Sequence, residues 1–150
     1  MVTDPRARPD VVAIANRLRP ALLRLNRELR RELSALGVTG GQATLLWLIR
    51  ETPGVGVRDL ATRENMSSPG MSGHVDRLEH AGLVRRVPSP TDRRRVGLFL
   101  TEEGERVLAA VRRRRTHWLA QRLGKLSGDE LRAVDQAIEP LLRLLDEEPR

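Results

Sequence analysis

The chain has 150 residues, no cysteine and a formal net charge of +7, from 27 basic and 20 acidic side chains. Lack of cysteine excludes disulfides, thiolate zinc sites and thiol-based peroxide sensing. No apolar run has the length of a membrane helix, and no secretory leader is evident, so a cytoplasmic protein is predicted. Nearly all the positive charge is arginine, Lys125 being the only lysine. Arginine suits bidentate contacts to phosphate or guanine, but coding bias produces the same excess, so charge alone names no partner. Aromatic side chains are limited to Trp47, Phe99 and Trp118, too few for a base-stacking platform for single strands.

The first predicted helix spans 10–36. Val11, Ile14, Ala15, Leu18, Leu22, Leu25, Leu29 and Leu33 recur at three- and four-residue steps and draw one apolar stripe. Pro20 falls inside it and predicts a kink. The stripe is longer than one small domain covers, which points to a second subunit. Gly37 closes this helix, and Thr39 with Gln42 forms a capping box ahead of the apolar run ATLLWLI. Pro53, Gly54 and Gly56 then make a turn, and a short helix follows over 57–65 with Leu60 and Ala61 inward.

Ser67 is a good N-cap for the next helix, over 67–80, with Pro69 in its first turn, where a missing N–H does no harm. Met71, Val75 and Leu78 make its buried stripe. Two apolar runs, 83–87 and 96–100, flank a tip of Pro, Ser, Asp and Arg, with Val96, Leu98 and Leu100 alternating as a half-buried strand requires. Pro88 and Pro90 predict an exposed loop without regular ladder bonds. Thr101 caps a long helix whose first turn holds Glu102 and Glu103, and Ser127 with Glu130 makes a second capping box. The last helix carries Leu131, Val134, Ile138, Leu141, Leu142 and Leu145, with a bend predicted at Pro140.

Helix, short helix, helix, ribbon is the layout of a winged helix-turn-helix, in which the second helix lies in the major groove. The predicted fold is mainly α with a small antiparallel β-wing, carrying N- and C-terminal dimerisation helices. Arg93, Arg94 and Arg95 sit on the ribbon's tip, where guanidinium groups suit the negative potential of a groove. On the recognition helix the outward face is bare. Gly70 and Gly73 are either places of close approach to the sugar-phosphate edge or merely poor helix residues. Ser72, Arg77 and His74 are the base-reading candidates that remain.

The run VRDLATRENMSSPGMSGHVDRLEHAGLVRR, followed by PTDRRRVGLFLTEEG, resembles the multiple antibiotic resistance regulator (MarR) family. The family's wing pattern is Asp, any residue, Arg, then a hydrophobic strand ending in Leu-Thr and soon after Gly. Here that is Asp92, Arg93, Arg94, LFLT and Gly104. The resemblance spans nearly the full length and implies one MarR-like domain over 1–150, with a dimerisation region over 10–36 and 102–146 and a DNA-binding region over 39–101. It implies a homodimer on double-stranded DNA, Asp92 bracing the wing through an ionic contact with a neighbouring arginine, and Arg94 in the minor groove. It further implies a pocket between dimer helices and DNA-binding lobe that takes a small aromatic or phenolic anion. The layout and the resemblance together assign to DNA binding Ser67, Ser68, Pro69, Gly70, Ser72, Gly73, His74 and Arg77 on the helix, with Asp92, Arg93, Arg94 and Arg95 on the wing. The two glycines depart from the pattern, because they offer no side chain to a base.

Other readings fare less well. There is no glycine-rich phosphate loop, nucleophile elbow or acid–base pair, so no enzyme and no cofactor are expected. His74, His80 and His117 match no zinc signature. The arginines at 112–115 lie within a helix and cannot all face one way, which makes them solvated surface. Trp47 and Trp118 read as core or interface residues. An architectural protein that coats DNA without sequence preference is the alternative, favoured by the few base-reading side chains.

Overall fold

The computed structural model describes residues 8–146. The elements are α1 (Val11–Arg31), a 3-10 turn (Ser34–Leu36), α2 (Gly40–Glu51), α3 (Val57–Arg63) and α4 (Ser68–His80). Then come β1 (Val84–Pro88), β2 (Val96–Leu100), α5 (Glu102–Leu123) and α6 (Gly128–Arg143). The chain divides into two compact units, Met1–Arg114 and Arg115–Arg150.

In the first unit the predicted stripes converge on one core. Leu46 and Ile49 of α2, Leu60 of α3, Met71, Val75 and Leu78 of α4, Leu98 of β2 and Val111 of α5 are all buried in a single cluster. The Thr39–Gln42 capping box forms in both directions, which satisfies two donors that a helix start leaves unpaired. The first helix differs from expectation at its end. It stops at Arg31, Gly37 adopts a left-handed φ of 71° after the 3-10 turn, and Leu33 leaves the stripe for the core. Pro20 lies inside an uninterrupted α1, and Pro140 inside an uninterrupted α6.

The ribbon is antiparallel, with Val84 opposite Leu100 and Pro88 opposite Val96. Its ladder runs further than the prolines suggest. Ser89 N–H donates to the Arg95 carbonyl at 2.8 Å, and bonded pairs alternate along an antiparallel ribbon. Pro88 therefore falls in a non-hydrogen-bonded pair, where its missing N–H costs the ladder nothing. On the outer edge of β2, Gly54 N–H donates to the Leu98 carbonyl and Leu98 N–H to the Val55 carbonyl, tying the turn before α3 to the ribbon.

The Leu-Thr…Gly part of the wing pattern has a structural cause. The Thr101 hydroxyl donates to the Gly82 carbonyl and accepts from Gly104 N–H, while Thr101 N–H donates to the Leu83 carbonyl. A Cβ on Gly104 would run into that Leu83 carbonyl. One threonine and one bare glycine thus lock the end of α4, the start of β1 and the start of α5 together.

In the second unit, Ser127 and Glu130 form the predicted capping box. The hydrogen bond from Ser127 N–H holds the Glu130 carboxyl below its ordinary range, with the Ser127 side chain adding to the effect. Trp118 is buried, and the Arg122 guanidinium stacks 3.7 Å from its ring centroid. Trp47, on α2 of the first unit, is half exposed. Among the described residues no helix is long and apolar enough to cross a membrane, and no cluster of metal-ligating side chains occurs.

Candidate nucleic-acid interface

Two elements of the first unit present the predicted residues, α4 and the tip between β1 and β2. Ser67 caps α4, its hydroxyl accepting from Gly70 N–H at 3.1 Å, so this side chain is spent on the helix. Ser68, Pro69 and Gly70 are exposed around the first turn. With Met71, Val75 and Leu78 buried, helical spacing turns Pro69, Gly73, Arg77 and His80 outward. Ser72 and His74 are half-buried on opposite flanks, and Arg77 is exposed. A Cβ at Gly70 would lie 3.0 Å from the Ser67 hydroxyl, tight against the cap, whereas Gly73 faces open space. The two glycines therefore have different causes: the first leaves room for the cap, and the second is not required by packing.

The wing tip is folded on its own polar groups. The Ser89 hydroxyl accepts from the N–H groups of Thr91 and Asp92, and Asp92 Oδ1 accepts from Arg94 N–H at 3.0 Å. The Arg95 N–H closes back on the Asp92 carbonyl at 3.0 Å. The ionic contact implied for Asp92 exists only as a long one, 3.8 Å to Arg95 Nε with both side chains largely exposed, where an ion pair contributes little. The shorter contact to the Arg94 backbone is the better brace. Arg93, Arg94 and Arg95 are all exposed.

Three residues at this surface are not singled out by the sequence. Ser89 organises the tip, a role a serine between two prolines does not advertise. Arg58 of α3 lines, with Arg94 and Arg95, an open concavity of about 760 Å³ beside the ribbon, whose lining also includes Val87, Val96 and Phe99. Arg86 on β1 pairs with two carboxylates of α4, Asp76 at 2.7 Å and Glu79 at 2.9 Å. Partial burial pulls the Arg86 guanidinium down, but the hydrogen bonds and attraction of Asp76 and Glu79 outweigh it and hold the guanidinium above its ordinary value. The i, i+3 spacing of two acids is the available signal, with its partner hidden in a run of arginines.

The sequence model of the MarR family matches residues 38–96, the stretch from the core residue Val38 to the first residue of β2. A helix-turn-helix-type transcriptional regulator of Mycobacterium bovis, Mb0904, is 33% identical over 136 residues, covering 91% of this chain and 95% of its own. The chain belongs to the MarR family. It is a DNA-binding transcriptional regulator, and regulators of this family act by binding DNA and not by catalysis. A MarR-family protein from Bacillus stearothermophilus has the same fold, with a TM-score of 0.78, 26% identity and coverage of 91% of this chain and 96% of that one. A mutant of Staphylococcus aureus MepR, solved bound to an oligodeoxyribonucleotide, shares the fold at a TM-score of 0.66 and 20% identity, with 89% and 98% coverage.

Proposed function

We propose that this regulator is a ligand-responsive repressor that binds a palindromic operator as a homodimer in the cytoplasm. The observation that carries the reading is the apolar surface left uncovered on α1 and α6. Val11, Ile14, Leu22 and Leu25 on α1, and Leu131, Val134, Ile138 and Leu142 on α6, are between 41% and 62% exposed. A second copy of the chain covers such stripes, and twofold symmetry then presents two copies of α4 to DNA. Binding successive major grooves requires their separation to be one helical turn, about 34 Å.

In this reading Ser68, Ser72, His74 and Arg77 face base edges, and Pro69, Gly70 and Gly73 permit close approach to the backbone. Arg94 enters the minor groove, flanked by Arg93 and Arg95 on phosphate, with Asp92 shaping the tip. Arg58 adds a phosphate contact beside the ribbon. A small aromatic or phenolic anion that prefers the dimer with its two α4 helices wrongly spaced lowers DNA affinity by its differential binding energy, typically about 1–3 kcal/mol.

Gly70 and Gly73 favour a second reading, an architectural protein that coats DNA, because they thin out the groups able to read bases. Selection of bound duplexes from a random pool decides between them. An enriched palindrome supports the operator-binding repressor, and no enrichment supports the coat. Repeating the binding with simple benzoic and phenolic acids tests the effector: release of the selected duplex is expected, and unchanged affinity throughout removes the ligand response.

A further inference from the structure

We propose that Asp76 and Glu79, acting through Arg86, are positioning residues that join the recognition helix to the wing as one rigid reading head. The inference rests on the DNA-reading roles proposed above for α4 and the tip. Asp76 and Glu79 lie three residues apart, on the flank of α4 that carries Ser72 and faces β1. Arg86 stands on β1 opposite Leu98 of the core, and its side chain is only 26% exposed. One nitrogen of its guanidinium meets Asp76 and the other meets Glu79, so the planar fork is held at two points. Such a fork resists rotation of the ribbon about α4, which a single ion pair does not.

Charge makes the arrangement informative. Two carboxylates on a DNA-reading helix repel phosphate, and one arginine does not cancel both. Simple Coulombic reasoning therefore holds that removing them strengthens DNA binding. A positioning role requires the opposite sign, because an unclamped ribbon loses more freedom when its tip enters the groove. It also has a consequence for sequence preference. Arginine in a minor groove favours narrow, A·T-rich sequence, so with α4 and the tip rigidly joined the major-groove half-site and the flank proposed for Arg94 stand at one fixed spacing.

The experiment compares the full-length chain with the Asp76→Asn/Glu79→Gln double variant on mixed-sequence duplex DNA at low salt, with thermal unfolding as the check on folding. Affinity about threefold to tenfold weaker is expected, the cost of immobilising one more side-chain-rich element on binding. Equal or tighter binding overturns the proposal. Arg86→Lys, which keeps the charge but not the fork, is expected to weaken binding too, and native-like affinity for it also overturns the proposal. This variant carries the test if the double variant does not fold. Selection from a random pool supplies a readout that lost stability alone does not move. The variants are expected to enrich the same half-site with flatter flanks, and unchanged flank preference overturns the positioning role. If the native chain itself enriches nothing, the operator reading fails while the affinity comparison still decides the clamp.

Discussion

The winged lobe and the helices α1 and α6 carry the same kind of amphipathic pattern and treat it in opposite ways. In the lobe, Leu46, Leu60, Leu78 and Leu98 are completely buried. On α6, Leu131, Val134, Ile138 and Leu142 recur with the same spacing and remain nearly half exposed, and no residue of α1 is buried. Helical periodicity thus announces that a face will be covered, without saying whether the cover is the same chain or another. Burial within the lobe makes a fold, and the stripes left uncovered elsewhere are the surface on which the proposed homodimer rests.

The contrast is broken most severely by placing charge on the uncovered stripe. Ile138→Asp/Leu142→Asp is expected to convert a homodimer into a monomer at micromolar concentration, since an unpaired carboxylate is costly to bury. Light scattering reads the mass, and the lobe's melting transition should persist in the monomer. A native chain that is already monomeric at that concentration defeats the dimer reading. Leu46→Ala is expected to do the converse, costing about 2–5 kcal/mol of stability through the cavity it leaves. Chemical denaturation measures this loss.

Smaller changes sharpen the comparison inside the lobe. Arg94→Ala is expected to cost about 1–3 kcal/mol of DNA affinity and to reduce the steepness of its salt dependence. Asp92→Ala should also weaken binding, although it removes a negative charge, because the Arg94 N–H loses its acceptor. Titrations at two salt concentrations test both variants. Gly73→Ala places a methyl group in open space and should stabilise α4 by up to about 1 kcal/mol. If its DNA affinity is unchanged, Gly73 is a poor helix residue; if affinity falls, the backbone approaches DNA there.

The smallest effect belongs to the α6 cap. Glu130 has a lowered pKa in the fold, so its contribution is present above the ordinary carboxylate range and is lost as pH falls through the folded value. Amide exchange in the first turn of α6 should therefore quicken as pH drops from about 6 to 3, after correction for intrinsic rates. Glu130→Gln should flatten that dependence.

Much of this is legible in the chain because local chemistry decides it. The capping residues Thr39, Ser67 and Ser127 open the helices that their side chains announce, and Met71, Val75 and Leu78 face the core. What escapes depends on neighbours distant in sequence. Leu33 continues the α1 stripe in register, yet the turn at Gly37 delivers it to the core. Arg86 looks like one more basic residue until the ribbon folds back beside Asp76 and Glu79. Asp92 is a local case instead: beside its long ion pair with Arg95 it accepts from the Arg94 N–H two residues on, a turn contact the sequence reading does not name.

The closure of the wing tip by Ser89 and Asp92 bears on how quickly the regulator finds DNA. Its arginines project from a loop whose backbone is already bonded to itself before any encounter. In the proposed docking no ordering step remains at the tip, so the association rate is expected to be governed by diffusion and by the attraction between guanidinium groups and phosphate. If the tip docks as proposed, arrival is expected to be fast and salt-dependent, and residence time is expected to be set by the contacts of α4.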